Sequence, residues 1–500
     1  MTAKVLMFQG TGSDVGKSTL VAGLCRLARR QGIRVAPFKP QNMSNNAAAC
    51  EDGGEIGRAQ ALQARAAGLS NQVDFNPVLL KPQSDRTAQI VVQGKVLDTL
   101  SASVYMNEQR QQLMQAVTDS FYRLSNEYDL ILVEGAGSTA EVNLRERDIA
   151  NMGFAQQVKA PVCLIGDIDR GGVIAAIVGT KTVISAADAE LISSFVINRF
   201  RGDPALFDEG VTAIEAMTRW PCRGVVPWLP AALKLPQEDA VVLEHAGRST
   251  KDKDTLVRIA VPMLSRIANF DDVDPLKLET NVSIGFVPPG QPIPLDVDAI
   301  ILPGTKSTLG DLQFIREQGW DHDMLAFARS GGRVIGLCGG YQLLGQWIND
   351  PDGVDGASGK TRGLGLLNIR TQMKAEKQTR EVEGHCPRSQ SKLVGYEIHV
   401  GESDGPDTQT PMTILAGKPD GAISANGLIE GTYLHGIFAN DLFRAWWLNS
   451  IKSDSAGSLN YEAAVERELE ALADGLETSL DVNALFADAK EAKHQRLCKH

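Results

Sequence analysis

Two stretches hold residues whose types and spacing suit chemistry. The first is Gln9–Leu20, QGTGSDVGKSTL. It follows the apolar run Val5–Phe8 and leads into Leu20, Leu24 and Leu27 at helical spacing. That order reads as strand, glycine-rich loop, helix, which turns backbone N–H groups and a helix N-terminus toward a phosphate. Gly12, Gly16, Lys17, Ser18 and Thr19 form the expected nucleotide cradle; Lys17 reaches the outer phosphates and the Ser18 hydroxyl holds Mg²⁺. The strict pattern has glycine where Thr11 stands, with Gly10 and Gly12 on either side. A helix-capping glycine turn is the plain alternative, but it has no need of Gly-Lys-Ser directly after a strand.

The second stretch is Val334–Gly345, VIGLCGGYQLLG. A strand runs into Cys338, two glycines follow, then a helix. This is the elbow that lifts a nucleophile above a sheet, with cysteine in place of serine. The N–H of Gly339, and a second donor near Gly304 in LPGTKST, would stabilise an oxyanion. His435 in GTYLHGIF is the expected base, and His399 in GYEIHVG is second. The alternative is a buried structural cysteine.

Parallel sheets are the elements that must position these residues. Apolar runs recur at Ile33–Ala36, Leu130–Val133, Val162–Ile165 and Phe195–Ile197, with helical patterns between several of them. Buried strands alternating with helices imply a parallel sheet, whose ligands sit at the carboxyl ends of its strands. Lys39 follows the first of these runs. Glu134 follows the second and is a natural further Mg²⁺ contact. Asp148, Asp167 and Asp169 fit the same logic, although Asp169-Arg170 equally reads as a surface ion pair. NPVLLKPQSDR supplies Lys81 and Arg86, which suit a carboxylate-rich ligand or a solvated loop alike.

The pattern fades near residue 250, where a boundary is expected between a domain over 1–250 and one over 251–453. A second alternation then runs through Val257–Val261, Val282–Val287, Ala299–Leu302 and Val334–Leu337. Over 454–500, Val465, Leu469, Leu472 and Leu476 at helical spacing, with acidic residues between, read as a peripheral amphipathic helix and an acidic tail.

A chain of 500 residues implies two or three domains. Its net charge of −11 argues against nonspecific nucleic-acid or acidic-membrane binding. No apolar run approaches the ~18 residues of a membrane span. The N-terminus has no signal-peptide layout. The seven cysteines are scattered without CxxC, which favours a reducing cytoplasm over a disulfide framework.

Taken together, QGTGSDVGKS, APFKPQNMS, GRAQ, NPVLLKPQSDR, VEGAGS, NLRERDIANMG, DIDRGGV, NRFRGD, LPGTKST, GLCGGYQLLG, GYEIHVG and GTYLHGIF resemble the cobyric acid synthase family of cobalamin biosynthesis. The resemblance runs from Met1 to Leu442. It implies an N-terminal P-loop parallel sheet like dethiobiotin synthetase and a C-terminal class I glutamine amidotransferase α/β domain. It implies ATP- and glutamine-dependent amidation of four carboxylates (b, d, e, g) of adenosylcobyrinic acid a,c-diamide, through acyl phosphates. Cys338, His435 and Asp148 are then catalytic, and Gly304 and Gly339 serve the oxyanion and glutamine. Lys39, Lys81 and Arg86 meet the corrinoid, and Ser18 and Glu134 hold Mg²⁺. The partners implied are small molecules, with a homo-oligomer left open.

The chain departs from the usual His-x-Glu, because Ile437 stands two residues after His435. Glu397, Glu430 or a backbone carbonyl is then expected to orient the histidine. The rival readings are the related enzyme that amidates the a and c carboxylates, a ParA-like ATPase switch, and a non-catalytic binding protein. NLRERDIANMG and NPVLLKPQSDR favour the first reading over the related enzyme, and the cysteine elbow argues against the switch.

Overall fold

The two alternations become two parallel sheets in the computed structural model, which describes residues 2–83, 87–101, 110–236, 238, 256–355 and 358–492. The first sheet runs in the order Cys222–Pro227, Ile192–Phe200, Val162–Asp167, Lys4–Gly10, Leu130–Glu134, Val35–Phe38. All five pairings along it are parallel. Its strands read as unbroken apolar runs because both faces are covered. Val5 and Met7 enter one core, and Leu6 and Phe8 enter the other.

The second sheet runs Val282–Val287, Val257–Pro262, Ala299–Leu302, Arg333–Leu337, Ile429–Thr432, Ala422–Ile423. Only the last pairing is antiparallel. A separate, mostly antiparallel sheet is built on the long strands Arg370–His385 and Lys392–Asp404. A small sheet of Gln41–Met43, Val78–Pro82, Thr87–Val92 and Lys95–Ser101 stands beside the first. Ala47, Leu79, Val91 and Ile398 form a minor core where these smaller sheets meet.

The boundary expected near residue 250 falls outside the described residues. The segment read as a peripheral acidic tail is placed differently. Its helix, Tyr461–Ser479, forms as the periodicity predicts, but it lies on the first sheet's outer helix, Lys17–Arg30. Val465, Leu469, Leu472 and Leu476 join the core that holds Leu6 and Phe8. Its acidic residues face a basic surface: Arg26 pairs with Glu466 and Glu470 at 2.8 and 2.9 Å, and Arg65 pairs with Glu462 at 2.8 Å. Lys490–Glu491 then adds a short antiparallel strand beside Lys4 and Val5.

Candidate functional site

The glycine-rich loop follows the central strand and opens the Lys17–Arg30 helix, as the sequence predicts. Gly16 caps that helix at φ +85°, and a Cβ there would lie 2.4 Å from the Asn198 amide, so only glycine fits. Lys17 Nζ donates to the carbonyls of Gly12, Ser13 and Gly137 at 3.0, 2.8 and 3.0 Å. Gly16, Lys17, Ser18 and Thr19 line a cavity of about 600 Å³.

Glu134 ends the neighbouring strand and is buried. It accepts from Ser18 Oγ at 2.7 Å, from Lys39 Nζ at 2.9 Å and from Gln63 Nε2 at 2.6 Å. Burial raises its pKa, but Lys39 and these donors outweigh that and hold it below the ordinary carboxylate value. Glu238, which sequence reasoning missed, accepts from Ser18 at 3.4 Å and from Asn42. The hydroxyl and carboxylate oxygens of Ser18, Glu134 and Glu238 are hard donors of the kind Mg²⁺ takes.

Asp148 lines the same cavity. Its carboxylate accepts the N–H groups of Ala150, Asn151 and Gly153, each at 2.7 Å, and so ties the cavity's wall. Lys39 is in the cavity but bound to Glu134. Asp167 and Asp169 are not among its lining residues; they pair with Arg199 at 3.0 Å and with Arg201. Lys81 is placed elsewhere: it pairs with Glu55 at 2.9 Å and faces the cavity of Cys338. Arg86 lies outside the described residues.

Cys338 stands at the carboxyl end of Arg333–Leu337 at φ 51° and ψ −110°, a strained elbow conformation. The turn needs Gly340, whose Cβ would sit 2.1 Å from the Leu302 carbonyl. Gly304, Gly339, Cys338, His399 and His435 line one small cavity. The thiol donates to the Ile398 carbonyl at 3.4 Å. His399 stacks on Tyr433 with centroids 3.9 Å apart.

His435 is buried, and its Nδ1 donates to Asp272 Oδ2 at 2.7 Å. The other Asp272 oxygen accepts the Gly436 N–H at 2.7 Å. The orienting group is therefore neither Glu397 nor Glu430. Glu397 accepts from Arg380 at 2.5 Å, and Glu430 accepts from Trp447 at 2.8 Å and pairs with Arg388. Burial pulls the His435 pKa down, but Asp272 and Cys338 together raise it to about 10. The arrangement is a Cys–His–Asp set, in which the acid comes from the segment NFDDVD rather than from the residues next to the histidine.

The two cavities lie on opposite faces of one small sheet. Leu80, Ala88 and Ile90 line the nucleotide cavity. Lys81 and Gln89, paired in the neighbouring register, line the cysteine cavity.

Comparison with known proteins finds a family domain over each of the two parts of the chain. Residues 6–242 match the family described as CobQ/CobB/MinD/ParA nucleotide binding domain. Residues 258–443 match the CobB/CobQ-like glutamine amidotransferase domain. A cobyric acid synthase of Hyphomonas neptunium is 61% identical over 97% of this chain and 98% of its own. Those of Paracoccus denitrificans and Brucella anthropi are 59% and 55% identical, each over 97% of this chain and 99% of theirs.

Proposed function

The chain belongs to the cobyric acid synthase family, a glutamine-hydrolysing ligase of cobalamin synthesis, and from that premise we propose how its two centres divide the work. Cys338 attacks the carboxamide of glutamine, with His435 moving the proton to the departing nitrogen and Asp272 holding the imidazole. Gly339 and Gly304 line the place where the oxyanion forms. Ammonia leaves, and water hydrolyses the glutamyl thioester.

ATP lies on Gly10–Thr19. A peripheral carboxylate of the corrinoid attacks the γ-phosphate to give an acyl phosphate and ADP, and Lys17 spreads the developing charge. Ser18 and Glu134, joined by Glu238, would hold Mg²⁺, which when bound neutralises charge on the phosphates. Ammonia then displaces phosphate from the acyl carbon. Asp148 keeps the wall of this cavity in shape, and Lys39 sets the charge of Glu134. The carboxylates are the b, d, e and g groups of the a,c-diamide, taken in succession.

The observation that carries this reading is one chain holding both a Cys–His–Asp set and a loop with Lys17, Ser18 and Glu134 converging. Mass spectrometry of cobyrinic acid a,c-diamide incubated with ATP, Mg²⁺ and glutamine tests it. Four amidations are expected. An inert diamide, with cobyrinic acid amidated twice instead, would assign the chain to the related a,c-amidating activity.

A further inference from the structure

One ten-residue helix, Arg58–Ala67, touches both centres. Gln60 and Gln63 donate to Glu134 at 3.5 and 2.6 Å, and Gln63 also donates to the Ser18 carbonyl at 3.2 Å. Arg58, the first residue of the same helix, lies on the other side. It pairs with Asp271 at 2.6 Å and donates to the Tyr396 hydroxyl. Asp271 adjoins Asp272. The Tyr396 ring stacks on His435, with centroids 5.1 Å apart and planes 15° from parallel. The backbones of Tyr396 and His435 also exchange two hydrogen bonds, at 3.3 and 2.9 Å. Arg58 thus meets Tyr396 directly and grips the residue next to Asp272.

The segment Asn269–Asp272 is gripped from the nucleotide side at a second point. The Asn269 N–H donates to Asn46 Oδ1 at 2.6 Å, and the Ala47 N–H donates to Asn269 Oδ1 at 3.1 Å. Burial pulls the Arg58 guanidinium down, but Asp271, Tyr396 and Asp272 outweigh it and hold it above its ordinary pKa, so the cation is permanent. Removing one member of a buried pair leaves the other charge uncompensated. Burial already raises the Asp271 carboxyl to about 6 against the pull of Arg58, so without Arg58 it takes up a proton and the pairing that fixes its segment is lost. From Arg58 to Gln63 the helix spans about 7.5 Å as a stiff rod. ATP with Mg²⁺ would claim the Ser18 hydroxyl and the Glu134 carboxylate, one oxygen of which Gln63 holds, and the rod delivers any resulting shift to Asp271.

We propose that Arg58 is a positioning residue for glutamine hydrolysis, through which the helix gripping Glu134 sets Asp272 and Tyr396 about His435 according to what the nucleotide site holds. This rests on the two-centre reading above. Such coupling is reciprocal: ATP that favours the competent triad is itself bound more tightly when glutamine is present.

The test compares the full-length native chain with Arg58→Gln, Arg58→Lys and Asp271→Asn. The kcat and KM for glutamine hydrolysis are measured with and without ATP, Mg²⁺ and corrinoid diamide, beside ammonia-dependent amidation. For Arg58→Gln and Asp271→Asn, stimulated glutaminase kcat is expected to fall about tenfold, within the usual range of coupling between sites. The KM for glutamine and the ammonia-dependent rate should stay within about twofold, the pattern of a lost transition-state interaction. Arg58→Lys should restore part of kcat. The double variant Arg58→Gln/Asp271→Asn should cost no more than either single change. In the Cys338→Ala background, glutamine should tighten ATP binding, and Arg58→Gln should abolish that effect. Unchanged stimulation in Arg58→Gln, or an equal fall in ammonia-dependent amidation, would overturn the proposal. A native chain that amidates no corrinoid from any nitrogen source would instead sink the two-centre reading.

Discussion

The imidazole of His435 owes its state to Asp272, and this makes the pair testable by pH. Its pKa is raised to about 10 against an ordinary 6.5. The charged pair therefore contributes stability in full below pH 6.5, and that contribution is lost as pH climbs through about 10. Asp272→Asn removes the largest raising influence. Its pH–rate profile for glutamine hydrolysis should lose the alkaline limb near pH 10 and turn over at lower pH. Its kcat should drop at least about a hundredfold, as for other triads whose orienting acid is neutralised. Cys338→Ala should abolish glutamine-dependent amidation and spare the ammonia-dependent reaction; loss of both would make the thiol structural. Lys17, Ser18, Cys338 and His435 were legible because each sits in a local pattern of turn and helix. Asp272 was not, since it reaches His435 across 163 residues of sequence with no spacing to announce it. Lys81, expected beside the corrinoid, faces the cysteine cavity for a related reason. Side chains alternate along a strand, so a residue beside the cavity-facing Leu80 points to the other cavity.

The helix Tyr461–Ser479 shows what periodicity gives and what it withholds. Its apolar stripe announced a helix with one buried face, but no count along the chain names the surface that face meets. That surface is the Lys17–Arg30 helix, where a Cβ on Gly23 would come within 2.4 Å of Leu476. The apolar seam carries most of the stability, because its partly exposed ion pairs are each worth little. Leu472→Ala should therefore lower the unfolding free energy by about 2–5 kcal/mol in urea titration. Glu477→Ala, at an exposed position of the same helix, should change it by less than about 0.5 kcal/mol. The parallel strands themselves were readable because they are buried on both faces. The long strands Arg370–His385 and Lys392–Asp404 were not announced, since their half-exposed surfaces carry charges throughout.

At the scale of the whole molecule, the two cavities back onto each other across a sheet one strand-layer thick. On the proposed mechanism, nitrogen freed at Cys338 then has a short way to the acyl phosphate. Given nitrogen-15 glutamine and an excess of unlabelled ammonium at neutral pH, the native chain should place mostly the heavy isotope in its product, as mass spectrometry reads it. Equal dilution with the external pool would mean release into bulk water. The helix that completes the outer face of the nucleotide sheet comes from beyond the glutaminase residues, and the strand pairing with Lys4 and Val5 comes later still. On the ribosome, the phosphate-binding part is therefore made first yet closed last, after the glutaminase between its pieces has already emerged. A nascent chain stalled near residue 453 would carry every residue of the cysteine centre and a Lys17–Arg30 helix with its outer apolar surface bare, a state that calls for a chaperone.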